Sequence, residues 1–190
     1  MARHLEFERT EAVALAADAF WQEGYAALTA IEVAGAMGLA KSSLYNTFGS
    51  KKDLFIEAMD YYAGSQRAKV VALSKNEDVI GLLRQMLLEA ASDNCAGRGC
   101  LLVNTAAEFG SRDEEVRHHV KAGFDGMRDA FAFLIRAGQG IGNINPDVHP
   151  QNYAVILVAG IAGLRVLAKS GMSDVELFPV VENLLEGLLN

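Results

Sequence analysis

The chain has 190 residues, 51% of them hydrophobic, with 3 prolines and a formal net charge of −7. That composition excludes a disordered or fibrous chain, and the length suits one good-sized domain or two small ones sharing a core. The acidic balance argues at first against a nucleic-acid partner, so the charge has to be followed locally.

Residues 1–6 read as a loose basic arm. No positively charged stretch there leads into an apolar run, so no signal peptide is expected. From Phe7 to Glu23, Ala12, Leu15, Ala16, Ala19 and Phe20 recur at helical spacing, and Gly24 closes this first helix. Tyr25 and Leu28 are expected to pack the junction.

Thr29 is an N-cap, with Glu32 three residues on to complete a capping box. Ile31, Val33, Ala34 and Met37 follow at helical spacing, and Gly38 supplies the left-handed position that ends the helix. A second short helix begins near Ala40 and carries Leu44, Tyr45 and Phe48 until Gly49 stops it. Its other positions, Lys41, Ser42, Ser43, Asn46 and Thr47, are small or hydrogen-bonding. Two ordinary core helices with a solvated face fit the pattern. So does a helix-turn-helix, whose second helix enters the DNA major groove.

Residues 1–55 hold five basic side chains (Arg3, Arg9, Lys41, Lys51, Lys52) against seven acidic ones, a net of −2. Residues 38–52 hold three lysines and no acid, a narrow basic strip that implies modest non-specific affinity for DNA.

The run Leu44-Tyr45-Asn-Thr-Phe48-Gly-Ser-Lys51-Lys-Asp-Leu54 resembles the signature that ends the DNA-binding region of TetR-family bacterial transcriptional regulators. Phe20, Gly24, Tyr25 and Thr29 match the upstream part of that pattern, so the specific resemblance covers about the first 55 residues. It implies DNA-binding residues. Lys41, Ser42, Ser43 and Asn46 are expected at base edges or the adjoining backbone, and Thr29, Tyr45, Thr47 and Lys51 at phosphates. Ala40 departs from the family by standing where a capping Ser or Thr is common, which weakens the helix start by about 0.5–2 kcal/mol.

Ser50 with Asp53 should cap a long helix through Leu54, Phe55, Ala58, Met59 and Tyr62 to about Leu73. After a turn, Val79, Leu82, Leu83, Met86, Leu87 and Ala90 mark a four-turn helix, and Ser92 to Gly99 reads as a loop. Cys100 to Phe109 is an apolar helix ended at Gly110. Ser111 and Glu114 read as a capping box opening a helix with Val116, Val120, Phe124, Met127, Phe131, Leu134 and Ile135 on one stripe. Gly138 to Pro146 is a loop. A helix from about Val148 to Lys169 is apolar nearly all round, and should be buried on more than one side. Its most apolar part, Tyr153 to Leu164, is interrupted by Arg165 and is too short to span a bilayer, so a cytoplasmic protein is the expectation. Ser173 and Glu176 cap a last amphipathic helix with Leu177, Val180, Val181, Leu184, Leu185 and Leu188. The fold class is all-α with about nine helices: a DNA-binding domain over 1–50, then an effector-binding and dimerisation domain over 51–190. The last two helices are more apolar than a monomer needs. The resemblance implies a homodimer through them, against the alternative of a closed monomeric core.

Cys95 and Cys100 have no histidine near enough for a zinc site, and a structural disulfide is not expected in a cytosolic chain. Cys100 reads either as a small buried apolar residue or as a reactive thiol, since it follows Arg98 at a helix start. Gly99-Cys-Leu-Leu-Val-Asn104 resembles a motif in a subgroup of TetR-like repressors, some of which sense electrophiles or oxidants through that cysteine. The expected effector site draws on Cys100, Asn104, Glu108, Tyr62, Met86, Phe124 and Met127, with Tyr61, Phe109 and Phe131 as further lining. Asn104 and Glu108 stand out, because polar groups one turn apart on an apolar helix need partners. No cofactor or metal is expected.

The function implied is an effector-responsive repressor binding a palindromic operator as a homodimer, released by a small molecule or by thiol modification. The alternatives are an all-α enzyme, for which no nucleophile–base pair, paired carboxylates or phosphate loop is visible, and a ligand-independent DNA-binding protein, which the acidity disfavours.

Overall fold

The computed structural model describes residues 2–92 and 97–189, with side chains from residue 9 onward. Cys95 and the Arg3 side chain lie outside it. Among the described residues there are nine α-helices and no strand: α1 Ala2–Glu23, α2 Ala30–Ala36, α3 Lys41–Phe48, α4 Lys51–Leu73, α5 Val79–Ala91, α6 Leu101–Phe109, α7 Glu114–Gly140, α8 Pro150–Lys169 and α9 Asp174–Leu189. They form two compact units, Met1–Gly64 with Leu101–Gly123 and Ser65–Cys100 with Phe124–Asn190. This grouping by shared core differs from the division at residue 50. It cuts α4 and α7 in mid-helix, and it places α6 with the three N-terminal helices.

In the first unit α1 packs on α2 and α2 on α3. The buried face of α1 is Val13, Ala16, Ala17 and Phe20, a 3.6-period stripe one residue round from the expected one, which leaves Leu15 44% exposed. Helix α1 runs from Ala2, so the loose arm expected at the start is helical instead. The capping box forms at α2: the Glu32 carboxylate accepts the Thr29 N–H at 2.7 Å, and Thr29 Oγ1 accepts the Glu32 N–H at 3.3 Å. Val33, Ala34 and Met37 are buried, whereas Ile31 is 63% exposed. Gly38 takes φ +69°, which lets Leu39 N–H reach the Ala34 carbonyl and Gly38 N–H the Gly35 carbonyl. That geometry turns the chain into α3, held by fully buried Leu44 and by Phe48. Ser50 Oγ accepts the Asp53 N–H at 3.0 Å and donates to the Asp53 carboxylate, starting α4.

The cap of α7 is Asp113, whose carboxylate accepts the Val116 N–H at 3.1 Å, rather than Ser111. Asp113 lies one residue before α7, where a carboxylate reaches the orphan amides of the first turn.

In the second unit α5 packs on both α8 and α9. Leu83, Leu87, Phe131, Leu134, Ile135, Leu157, Leu164, Leu177, Val181 and Leu185 form the core. Helix α7 extends to Gly140, past the expected stop at Gly138. Gly138 serves close approach instead: a Cβ there would lie 2.6 Å from Ile144 Cδ1. Helix α8 starts at Pro150 with His149 Nδ1 accepting the Asn152 N–H, and Ser173 with Glu176 caps α9 as expected. By length and composition α8 is apolar enough to cross a bilayer, so the limit expected from Arg165 does not hold. Only 22% of that stretch is buried, against the expectation of burial on several sides. Val155, Ile156, Val166 and Leu167 of α8 and Val175, Phe178, Val180 and Leu189 of α9 are exposed. Arg165 is turned to the chain, donating to the Gly99 carbonyl at 3.1 Å.

Candidate functional site

Burial of Leu44 and Phe48, one helical turn apart, fixes which side of α3 faces outward. Lys41, Ser42, Tyr45, Asn46 and Thr47 are exposed, and Ser43 is half-buried. Thr29 is exposed at the start of α2. Ala40 has the extended backbone of an N-cap, φ −73° and ψ 150°, with no side-chain bond to the first turn. The amides at the start of α3 therefore lack that cap, beside exposed Lys41 and Ser42.

The basic side chains of the N-terminal region are committed mostly to internal partners. Arg9 makes a two-pronged pair with Glu57, donates to the Thr47 carbonyl, and lies 4.6 Å from the Phe48 ring centre. Lys52 pairs with Asp113 at 2.7 Å and Glu115 at 2.8 Å; these bonds hold its ammonium well above the usual lysine range. Lys51, expected at a phosphate, points inward. Its Nζ donates to the Tyr25 carbonyl at 2.9 Å and the Leu28 carbonyl at 2.7 Å, over the Tyr25 ring. Burial lowers its pKa, against the pull of the Glu108 carboxylate. Lys41 stays at the exposed start of α3, 5.9 Å from the Tyr45 ring centre. Sequence offered no signal for these pairings, because Glu57, Asp113 and Glu115 lie far along the chain.

The expected effector residues divide between the units: Tyr62, Asn104 and Glu108 belong to the first, and Met86, Cys100, Phe124 and Met127 to the second. Tyr62 is buried against Trp21, with ring centres 5.3 Å apart. Met86 and Met127 pack on the second core, while Phe124 and Asn104 are half-buried. Phe131 is fully buried core and Tyr61 is exposed. Cys100 is a free, partly exposed thiol at the residue before α6. Glu108 has partners of an unexpected kind. Its carboxylate accepts the Tyr25 and Ala26 N–H groups, at 3.1 and 2.6 Å. It lines an open depression of about 360 Å³ with Tyr25, Ala26, Phe109, Arg112 and Asp113. The partners of this carboxylate on an otherwise apolar helix are backbone amides.

Two family models match the chain. One, described as bacterial regulatory proteins of the tetR family, covers residues 12–58; the other, a tetracyclin repressor-like C-terminal domain, covers residues 80–174. An uncharacterised helix-turn-helix regulator of Bacillus subtilis, YezE, is 26% identical over 77% of this chain and 78% of its own length. The Escherichia coli transcriptional repressor ComR is 25% identical over 88% of this chain and 82% of its own. A cysteine-substituted form of the TetR family regulator CifR, solved with 26-base-pair operator DNA, is 30% identical. Its TM-score is 0.75, over 94% of this chain and 95% of that one. These relatives are transcriptional regulators, not enzymes. The chain, all-helical with an N-terminal helix-turn-helix, belongs to the TetR family of DNA-binding transcriptional regulators.

Proposed function

We propose that the protein is a homodimeric repressor that binds a palindromic operator and leaves it when an effector occupies the regulatory region or a thiol is modified. The observation that carries this reading is α3, anchored by Leu44 and Phe48 and presenting Lys41, Ser42, Tyr45, Asn46 and Thr47 outward. Lysine donates to guanine, asparagine pairs with adenine, and serine fits either. Thr29 keeps its hydroxyl proton for a phosphate, since the capping bond uses only an oxygen lone pair. Lys51 is left out of the phosphate contacts because its ammonium holds the turn before α2.

With so little uncommitted positive charge, one reading head binds weakly. Two heads on one two-fold axis supply the remainder. The exposed apolar faces of α8 and α9 are the surface on which a second copy fits, and burying them there accounts for their composition better than a bilayer does for the pair. Residues 1–50 then read DNA, and residues 51–190 bind effector and dimerise. Within the latter, Cys100, Asn104, Met86, Phe124 and Met127, with Tyr62, are the residues toward which the effector is assigned. The Gly-Cys-Leu-x-x-Asn motif with a partly exposed thiol favours electrophiles or oxidants as one effector class.

A gel shift on the protein's own upstream intergenic DNA tests the reading. Palindrome-dependent binding is expected, and sequence-blind binding or none would sink it. Replacing Cys100 with Ser should abolish release by electrophiles; unchanged release leaves Cys100 as packing.

A further inference from the structure

Helix α3 is 8 residues long, and a helix so short depends on its neighbours for its shape. Its first turn lacks a side-chain cap, and its last turn holds no basic residue of its own. A cation reaches that last turn from another helix. Arg9 of α1 donates from Nη1 to the Thr47 carbonyl at 3.1 Å, one of the last carbonyls of α3, which have no partner within the helix. The same guanidinium lies over the Phe48 ring, 4.6 Å from its centre. Glu57 of α4 pins its other edge, accepting from Nε at 2.9 Å and from Nη2 at 2.7 Å.

A partly exposed ion pair ordinarily contributes little. This one differs because a planar fork meets a carboxylate on one edge, a peptide carbonyl on the other and an aromatic ring on its face. A lysine, a point charge without a plane, cannot meet all three. Three of the guanidinium N–H groups are thus taken inside the protein, although Arg9 belongs to the few basic side chains of the N-terminal region. Leu44 is buried in the middle of α3 and serves as the pivot about which the helix could tilt. Arg9 holds the end beyond that pivot, beside exposed Asn46.

We propose that Arg9 is a specificity-determining positioning residue: oriented by Glu57, it fixes the C-terminal end of α3, so that the base pair offered to Asn46 is set by a side chain that touches no DNA. The proposal rests on the reading of α3 as the helix that enters the groove. It distinguishes Arg9 from a phosphate contact, which would bind every sequence alike.

Selection from a pool of randomised DNA duplexes tests it, using the full-length wild type, Arg9→Ala, Arg9→Lys and Glu57→Gln. Asn46→Ala locates the base pair read from the last turn of α3, as the position where its motif loses preference. Each of the other variants should lose about tenfold in preference at that same base pair and keep the rest of the wild-type motif. Arg9→Ala and Glu57→Gln change the charge in opposite senses, so losses of the same sign at one position report geometry. Effects of opposite sign, or a loss uniform across the motif, would overturn the proposal. The slope of log K against log salt on one scrambled duplex is the second readout. It should be unchanged in Arg9→Ala, whereas a fall of about 0.9 per protomer would make Arg9 a phosphate contact and also overturn the proposal. Arg9→Lys, which keeps the charge, decides the matter if Arg9→Ala does not fold. A wild type that enriches no motif, or an Asn46→Ala motif identical to it, removes the reading helix and the proposal with it. A wild-type motif that the Arg9 and Glu57 variants share unchanged removes the role of Arg9 alone.

Discussion

Lys52 Nζ lies 2.7 Å from Asp113 Oδ2, so the lysine that follows the reading head is bound to the carboxylate that caps α7. The bond offsets positive charge on a head that carries little. Asp113→Asn with Glu115→Gln should release this charge while an asparagine still caps the helix. Non-specific DNA affinity should rise, and the slope of log K against log salt should steepen by about 0.9 per protomer. Titrations at several salt concentrations read this directly, and an unchanged slope would show that Lys52 does not reach a phosphate when freed.

The same carboxyl makes an acid-sensitive contribution to stability. The Lys52 ammonium, followed by the Val116 N–H, holds the Asp113 pKa below its usual value. A depressed carboxyl stabilises the fold fully above the unfolded-state pKa, and that stability is lost as pH falls through the folded-state value. The stability gap between wild type and Asp113→Asn should therefore be constant near neutrality and shrink below about pH 4. Urea midpoints over that range check it; a gap that widens on acidification reverses the sign and rejects the assignment.

Ala40 already has N-cap backbone angles and lacks only the side chain. Ala40→Ser should stabilise the protein by about 1 kcal/mol, raising Tm by roughly 2–4 °C. Thermal unfolding decides between this and a cap position blocked by its surroundings, for which Tm would not rise.

Val155 is 52% exposed on α8 and Phe178 is 47% exposed on α9. Replacing both with Glu should leave the helicity of each protomer intact, since neither side chain is in the core. Sedimentation should then report a monomer, with operator affinity lower by about 10²-fold or more. A dimer that survives both changes would place the interface elsewhere.

Much of this molecule can be read along the chain, and the reason is locality. The capping boxes at Thr29–Glu32 and Ser173–Glu176, the Ser50–Asp53 cap, and the left-handed Gly38 and Gly49 depend on residues three or four apart. Periodicity located the helices. It was less secure about faces: Leu15 and Ile31 have apolar spacing yet lie outside, because a single stripe of each helix is covered. Helix α7 starts two residues later than a Ser111 cap would place it, because Ser111 and Asp113 both offer capping chemistry and only the fold selects between them.

By itself the sequence determined about nine helices and a helix-turn-helix, matched by the nine among the described residues, because caps, turns and helical period are written in near neighbours. Only the tertiary structure decided what the charges do. Lys51 and Glu108 look like a phosphate anchor and a pocket residue, but 57 positions apart they hold one turn between them. A charged side chain goes where burial and unsatisfied peptide groups place it, and those groups come together only when distant helices pack.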